Sequence, residues 1–166
     1  MAEVLLADWW HQLVEEFESD APNFFRNDTE FSGLVARQTI CGLSPADLAR
    51  QGPAIPQRLA LVPVRRPSDV LVTIGWNGTE DSIESTEELG VVLESWHDRV
   101  GAHLVALAPN GFDIYIERPP VSEADRRRWA AELLTVNSVL VDAANFDEFV
   151  ENVSFSDDQR YGFTWF

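Results

Sequence analysis

The chain has no lysine; all twelve of its bases are arginine. That excludes Schiff-base chemistry at a lysine amine. It also excludes a phosphate loop of the Walker type, whose lysine reaches the phosphates. There is one cysteine, Cys41, so no internal disulfide can form, and a reducing, cytoplasmic setting is expected. No apolar run is long enough to span a membrane, and Met1 to Glu18 has neither the basic start nor the apolar core of a secretory leader. Positive charge is scarce: 28 acids stand against 12 bases, a formal net charge of −16. Nucleic acid and anionic membrane surfaces are therefore not expected as partners, since both need a basic face. A basic protein, a cationic ligand or a metal ion remains compatible with the charge.

What is present suits a packed core. Ten Phe and six Trp supply large apolar pieces, and the length is that of one domain. The stretch from Ser85 to Arg118 organises the rest. Ser85 and Glu88 form a capping-box pattern. Leu89, Val92, Leu93, Trp96 and Val100 then recur at helical spacing, and Gly101 stands where a left-handed residue ends a helix. Ala102 to Ala108 is nearly unbroken apolar apart from His103, which predicts a strand covered on both faces. Pro109-Asn110-Gly111 signals a hairpin turn. Phe112, Ile114 and Ile116 alternate with Asp113, Tyr115 and Glu117, the period of a half-buried strand, and Arg118-Pro119-Pro120 stops it.

Elsewhere, Leu5, Leu6, Trp9, Trp10, Leu13, Val14 and Phe17 make the apolar stripe of an N-terminal helix. Ser44-Pro45 opens a short helix, and the 52–56 segment is the best linker. Arg58 to Val64 reads as a strand. Pro67-Ser68-Asp69 opens a short helix through Ile74 with Val70, Leu71 and Ile74 inward; a strand is the alternative for Val70 to Ile74, since β-branched residues are common there. Ser122 caps a helix whose buried face is Trp129, Ala130, Leu133 and Leu134. A further short helix runs from Asn145 or Asp147 to Val153, and Tyr161 to Phe166 closes the chain as an aromatic strand. Strands at about 58–64, 102–108, 112–117, 138–142 and 161–166 predict one mixed or antiparallel sheet of five strands with helices packed on it. This is the α+β class. The expected organisation is a single domain over 1–166, with an N-terminal helical layer (1–52) and a sheet-bearing region (57–166).

Several runs carry a resemblance. They are Leu61-Val62-Pro63-Val64, Arg66-Pro67-Ser68-Asp69, Gly75-Trp76-Asn77-Gly78, Trp96-His97-Asp98-Arg99-Val100-Gly101-Ala102 and Arg118-Pro119-Pro120. With these the chain resembles a bacterial family catalogued as domain of unknown function 4253, over roughly its C-terminal two-thirds. The resemblance implies no particular activity. It implies a Cys-Pro-Asp-like element after the helix that follows the hairpin, where this chain has Val136-Asn137-Ser138. No role of that cysteine carries over.

Candidate sites are few. Cys41, His11, His97 and His103 supply nucleophile and base types, but no local motif marks them, and an inert buried cysteine is the simpler reading. Trp76, His97 and His103 form a candidate pocket near one end of the sheet. Two histidines with Asp98 match no zinc signature, so no metal and no cofactor is expected. Glu80, Asp81, Glu84, Glu87 and Glu88 make an acidic run with no base, lacking the pattern of a calcium loop. It is either a solvated helix start or a partner-facing patch. The arginines near predicted strand ends either pair with the excess acids or line an anion pocket.

Three functional expectations follow. The first is a non-enzymatic acidic module that binds a basic protein, as immunity proteins do with secreted toxins. The second is an enzyme with a pocket at His97 and His103. The third is a regulatory or structural module that dimerises through its C-terminal strand.

Overall fold

The computed structural model describes residues 1–166 except 22, 27, 40–41, 52–57, 59, 79–84, 139–142, 155–158 and 166. The described residues form six α-helices, one 3-10 turn and one three-stranded antiparallel sheet, an α+β arrangement. They divide into two compact units that interleave along the chain: Met1–Ala36 with Pro120–Asp158, and Arg37–Pro119 with Gln159–Phe166. Among the described residues no helix is long and apolar enough to cross a membrane.

The first unit is helical. It holds α1 (Ala2–Asp20) and, past the other unit's long segment, α5 (Glu123–Val136) and α6 (Phe146–Ser154). The stripe of α1 buries Leu6, Trp10, Leu13 and Val14, while Glu15, Glu16, Glu18 and Asp20 stay exposed at its C-terminal end. Trp10 is the hub. It meets Phe25 and Phe146 edge-on at 4.9 and 5.5 Å, and Ala130, Ala131 and Leu134 of α5 complete the cluster. Edge-to-face rings add to what area burial alone contributes. Ser122 caps α5 as expected, its Oγ accepting from Asp125 N at 3.1 Å and donating to Asp125 Oδ2 at 2.8 Å. The fully buried Glu132 accepts from Val35 N at 2.7 Å and so fixes the segment after Phe31. Arg127 grips Asp28 and Asp147 and lies 5.1 Å over Phe146, which ties α5 to α6 and to the loop after α1.

The second unit carries the sheet. Its elements are α2 (Pro45–Arg50), a 3-10 turn (Pro67–Asp69), α3 (Val70–Thr73), α4 (Thr86–Val100), β1 (Ala102–Ala108), β2 (Gly111–Ile116) and β3 (Arg160–Thr164). The sheet order is β1-β2-β3. Ser85 caps α4, with its Oγ accepting from Glu88 N at 3.1 Å. Gly101 ends α4 at φ 68°, the left-handed conformation a glycine adopts without strain. The two-residue turn at Pro109-Asn110 leaves Ala108 opposite Gly111. Asn110 is locked to the C-terminal strand by Nδ2 donating to Trp165 O at 2.7 Å. The alternation of β2 behaves as read: Phe112, Ile114 and Ile116 are buried. Phe112 stacks on Phe163 at 4.7 Å, and Trp96 of α4 packs 5.8 Å from Phe163.

Several expectations need correction. Arg58 and residues 60–64 lie in no strand, and Leu61 is 93% exposed. Pro63 interrupts that run and removes a ladder donor. The strand expected at 138–142 falls almost wholly outside the described residues; Ser138 itself is in no strand. Five strands thus reduce to three among the described residues. β1 is not covered on both faces: only Ala102 is buried, and Leu107 and Ala108 are exposed. It lies at an end of the strand order, where small apolar residues tolerate partial exposure. In α3 only Leu71 points fully inward, and Ile74 is exposed.

Candidate functional site at the His97 and His103 end of the sheet

Three local features assemble one cluster in the sheet-bearing unit. Helix α4 ends at Gly101, so His97 on its last turn lies beside the start of β1. His103 is the second residue of β1. Glu117 follows β2 and is tied across by its N–H to Gly101 O at 3.2 Å. A register shift between Leu104 and Ala106 then sets His103 opposite Tyr115. That places His103 on the same face as Glu117, two residues further along, within diagonal cross-strand reach.

The contacts are short and enclosed. His103 Nε2 lies 2.7 Å from Glu117 Oε1, with side-chain exposures of 13% and 5%. Glu117 Oε2 also accepts from Gly42 N at 2.9 Å, and Oε1 from Leu43 N at 3.3 Å. Burial pushes the Glu117 carboxyl up, but the hydrogen bonds from His103, Leu43 and Gly42 together hold it below the ordinary glutamate range. The carboxylate is therefore charged at neutral pH and acts as an acceptor from three donors. His97 Nδ1 lies 3.1 Å from Ala102 O, and the two imidazoles meet nearly at right angles with centroids 5.2 Å apart.

Beside His97 is a cavity of about 10 Å³, lined also by Ser68, Leu93, Leu104 and Ile114. That is room for about one water.

The other expected residues are placed differently. Trp76 sits at the turn end of the hairpin, with Nε1 donating to Ala108 O at 2.8 Å and its ring 5.9 Å from both Phe112 and Trp165. It does not join the histidines. Asp98 lies 4.0 Å from Arg37. In the acidic run, Glu87 is exposed on the first turn of α4, whereas Glu88 is half-buried, and among the described residues its buried Oε2 meets no hydrogen-bond partner. Glu80, Asp81, Glu84 and Cys41 lie outside the described residues. His11 is exposed on α1, 3.4 Å from Glu15. Among the described residues no group of three or more His, Cys, Asp or Glu is arranged to hold a metal ion.

Sequence reasoning missed Glu117 and its two backbone donors. The signal was the same-face alternation of Asp113, Tyr115 and Glu117. Using it required knowing the register with β1.

The family model described as Domain of unknown function (DUF4253) matches residues 58–165. The chain belongs to this family. The DUF4253 region contains His97, His103 and Glu117, while Gly42 and Leu43, which hold the Glu117 carboxylate, precede it. No curated protein and no solved structure matches the chain.

Proposed function

We propose that this DUF4253 protein is a non-enzymatic, acidic binding module that engages a basic protein partner, with toxin neutralisation of the immunity type as one instance. One observation carries the reading. The chain has 16 more acids than bases, and among the described residues at least six arginines are already paired inside it. Arg37 pairs with Asp98, Arg50 with Asp47, Arg66 with Glu94, Arg127 with Asp28 and Asp147, Arg128 with Asp125, and Arg160 with Asp113. Bases committed internally leave the acid excess to act outward, where it steers a cationic partner. The acidic run at the start of α4 is the proposed contact face, with Glu87 exposed there.

The test is capture by the immobilised full chain from cell lysate and secreted fraction, at low and high salt, read by mass spectrometry. A variant with Glu80, Asp81, Glu84, Glu87 and Glu88 changed to their amides is run beside it. Expected is a basic protein held at low salt, released at high salt and weakened by the amide variant. Retention that ignores both salt and variant, or no retention, overturns the reading.

A second reading, an enzyme acting at His97 and His103, is favoured by the enclosed His103–Glu117 pair, since a carboxylate that orients an imidazole is a recurrent element of acid–base sites. The cavity of about 10 Å³ beside His97 favours the binding module over it.

A further inference from the structure

We propose that Asn110 is a site of spontaneous deamidation, and that its conversion to a carboxylate unfastens the C-terminal strand from the β1–β2 hairpin. Two separate demands of the fold create the site. Asn110 lies in the hairpin turn, and its Nδ2 donates to Trp165 O at 2.7 Å. Its backbone O accepts from Trp165 N at 2.9 Å, so one residue fastens the end of the strand twice. Gly111 follows, paired with Ala108 on one side and Thr164 on the other. A Cβ there would lie 2.3 Å from Phe163 O, so only glycine fits. The clasp thus requires an amide at 110, and the close strand approach requires glycine at 111. Asparagine is a thermolabile residue. It is least durable before glycine, where no side chain shields the following backbone nitrogen.

The reaction needs only water. Gly111 N gives up its proton and attacks Asn110 Cγ. A Cγ–N bond forms, the Cγ–Nδ2 bond breaks, and Nδ2 leaves as ammonia with that proton. Water then opens the cyclic imide at either carbonyl, which yields aspartate or isoaspartate. Asn110 is exposed, so water reaches it. The hydrogen bond from Nδ2 and the strand pairing of Gly111 restrain the reacting atoms, so the docked strand slows the first step. The product cannot remake the clasp. A carboxylate has no hydrogen to give, and here it faces Trp165 O, a second acceptor. Isoaspartate also adds a backbone carbon to a two-residue turn, which the pairing of Ala108 with Gly111 does not accommodate. The site is independent of the acidic contact face proposed above and stands or falls separately.

The test holds the folded full chain at mildly alkaline pH, below its unfolding temperature, beside a urea-unfolded sample. Peptide mapping by mass spectrometry reads the amide at Asn110 over time. Acid is expected to accumulate there in both samples, more slowly in the folded one. Amide hydrogen exchange is then compared among the unaltered protein, Asn110→Asp and a charge control, Gln12→Glu on the exposed face of α1. The amides of β3 and Trp165 should exchange about tenfold faster in Asn110→Asp, and unchanged in the control. Two results overturn the proposal. One is a folded chain with no acid at Asn110 by the time the unfolded chain is fully converted. The other is β3 exchange in Asn110→Asp that matches the unaltered protein or the control.

Discussion

Replacing Glu117 by glutamine removes the charge that three donors share, while keeping the size of the side chain. Hydrogen bonds to a charged group contribute about 1.5–3 kcal/mol each way, and Glu117→Gln is expected to lower the urea-unfolding free energy by an amount of that order. The sign of its pH dependence follows from the shift. The folded carboxyl titrates below its unfolded value, so its stabilisation is complete above the ordinary glutamate value of about 4.3 and is lost as pH falls through the depressed folded value. Urea midpoints followed downward from neutral pH should fall more steeply for the unaltered protein than for Glu117→Gln. Parallel curves would show that Glu117 contributes nothing there. Two glycines offer a second comparison. Gly101 and Gly75 both have positive φ, 68° and 66°, but a Cβ at Gly101 would lie 2.9 Å from Glu117 Cβ, whereas among the described residues, chain neighbours aside, nothing comes within 4 Å of one at Gly75. Gly75→Ala is expected to cost about 1–2 kcal/mol from backbone conformation alone. Gly101→Ala should cost more, read by the same urea series.

At the scale of elements, the caps are the clearest contributions. Ser122 holds Asp125 N and also donates to the Asp125 carboxylate, and that carboxylate in turn accepts from Ala36 N and Arg128. The Ser122 hydroxyl, then the Ala36 N–H and Arg128, hold the Asp125 carboxyl below its usual range against the opposing effect of burial. Ser122→Ala should therefore destabilise the helical unit by about 0.5–2 kcal/mol, measured by thermal or urea unfolding. The hairpin shows what element-level reading reaches and where it stops. The two-residue turn and the alternation of β2 were both legible, because hairpin turns and period-two patterns are local. The register shift between Leu104 and Ala106 was not. An unshifted ladder from the Ala108–Gly111 pair would put His103 opposite Ile116, on the other face from Glu117. One extra residue in β1 thus decides whether the pair can form. The same limit explains Arg58 to Val64. Its alternation is strand-like, yet Pro63 interrupts it, and Arg58 and residues 60–64 lie in no strand.

At the scale of the whole molecule, charge dominates what composition implies. A net charge of −16 repels itself in the folded chain, and added salt screens that repulsion. Thermal midpoints are expected to rise as neutral salt increases from low to physiological and higher concentration. A falling midpoint would mean that the internal arginine–carboxylate pairs outweigh the net repulsion. The same excess bears on the proposed partner: association steered by charge should slow with salt chiefly in its on-rate, checked by surface-binding kinetics once a partner is captured.

The sequence by itself determined the α+β class, the capped helices at Ser85 and Ser122, the left-handed end at Gly101, the aromatic core of α1 and the buried face of β2. Each depends on spacing within one element, and helix and strand periods write that spacing directly into the residues. The acid excess is likewise a matter of counting. Tertiary structure alone decided that three strands pair among the described residues, that β1 stands at an end of the strand order, that Trp76 sits apart from the histidines, and that Glu117 clamps His103 to Gly42 and Leu43. Those contacts join residues as much as 75 positions apart. They depend on which elements pack together and in which register, and no local period encodes that.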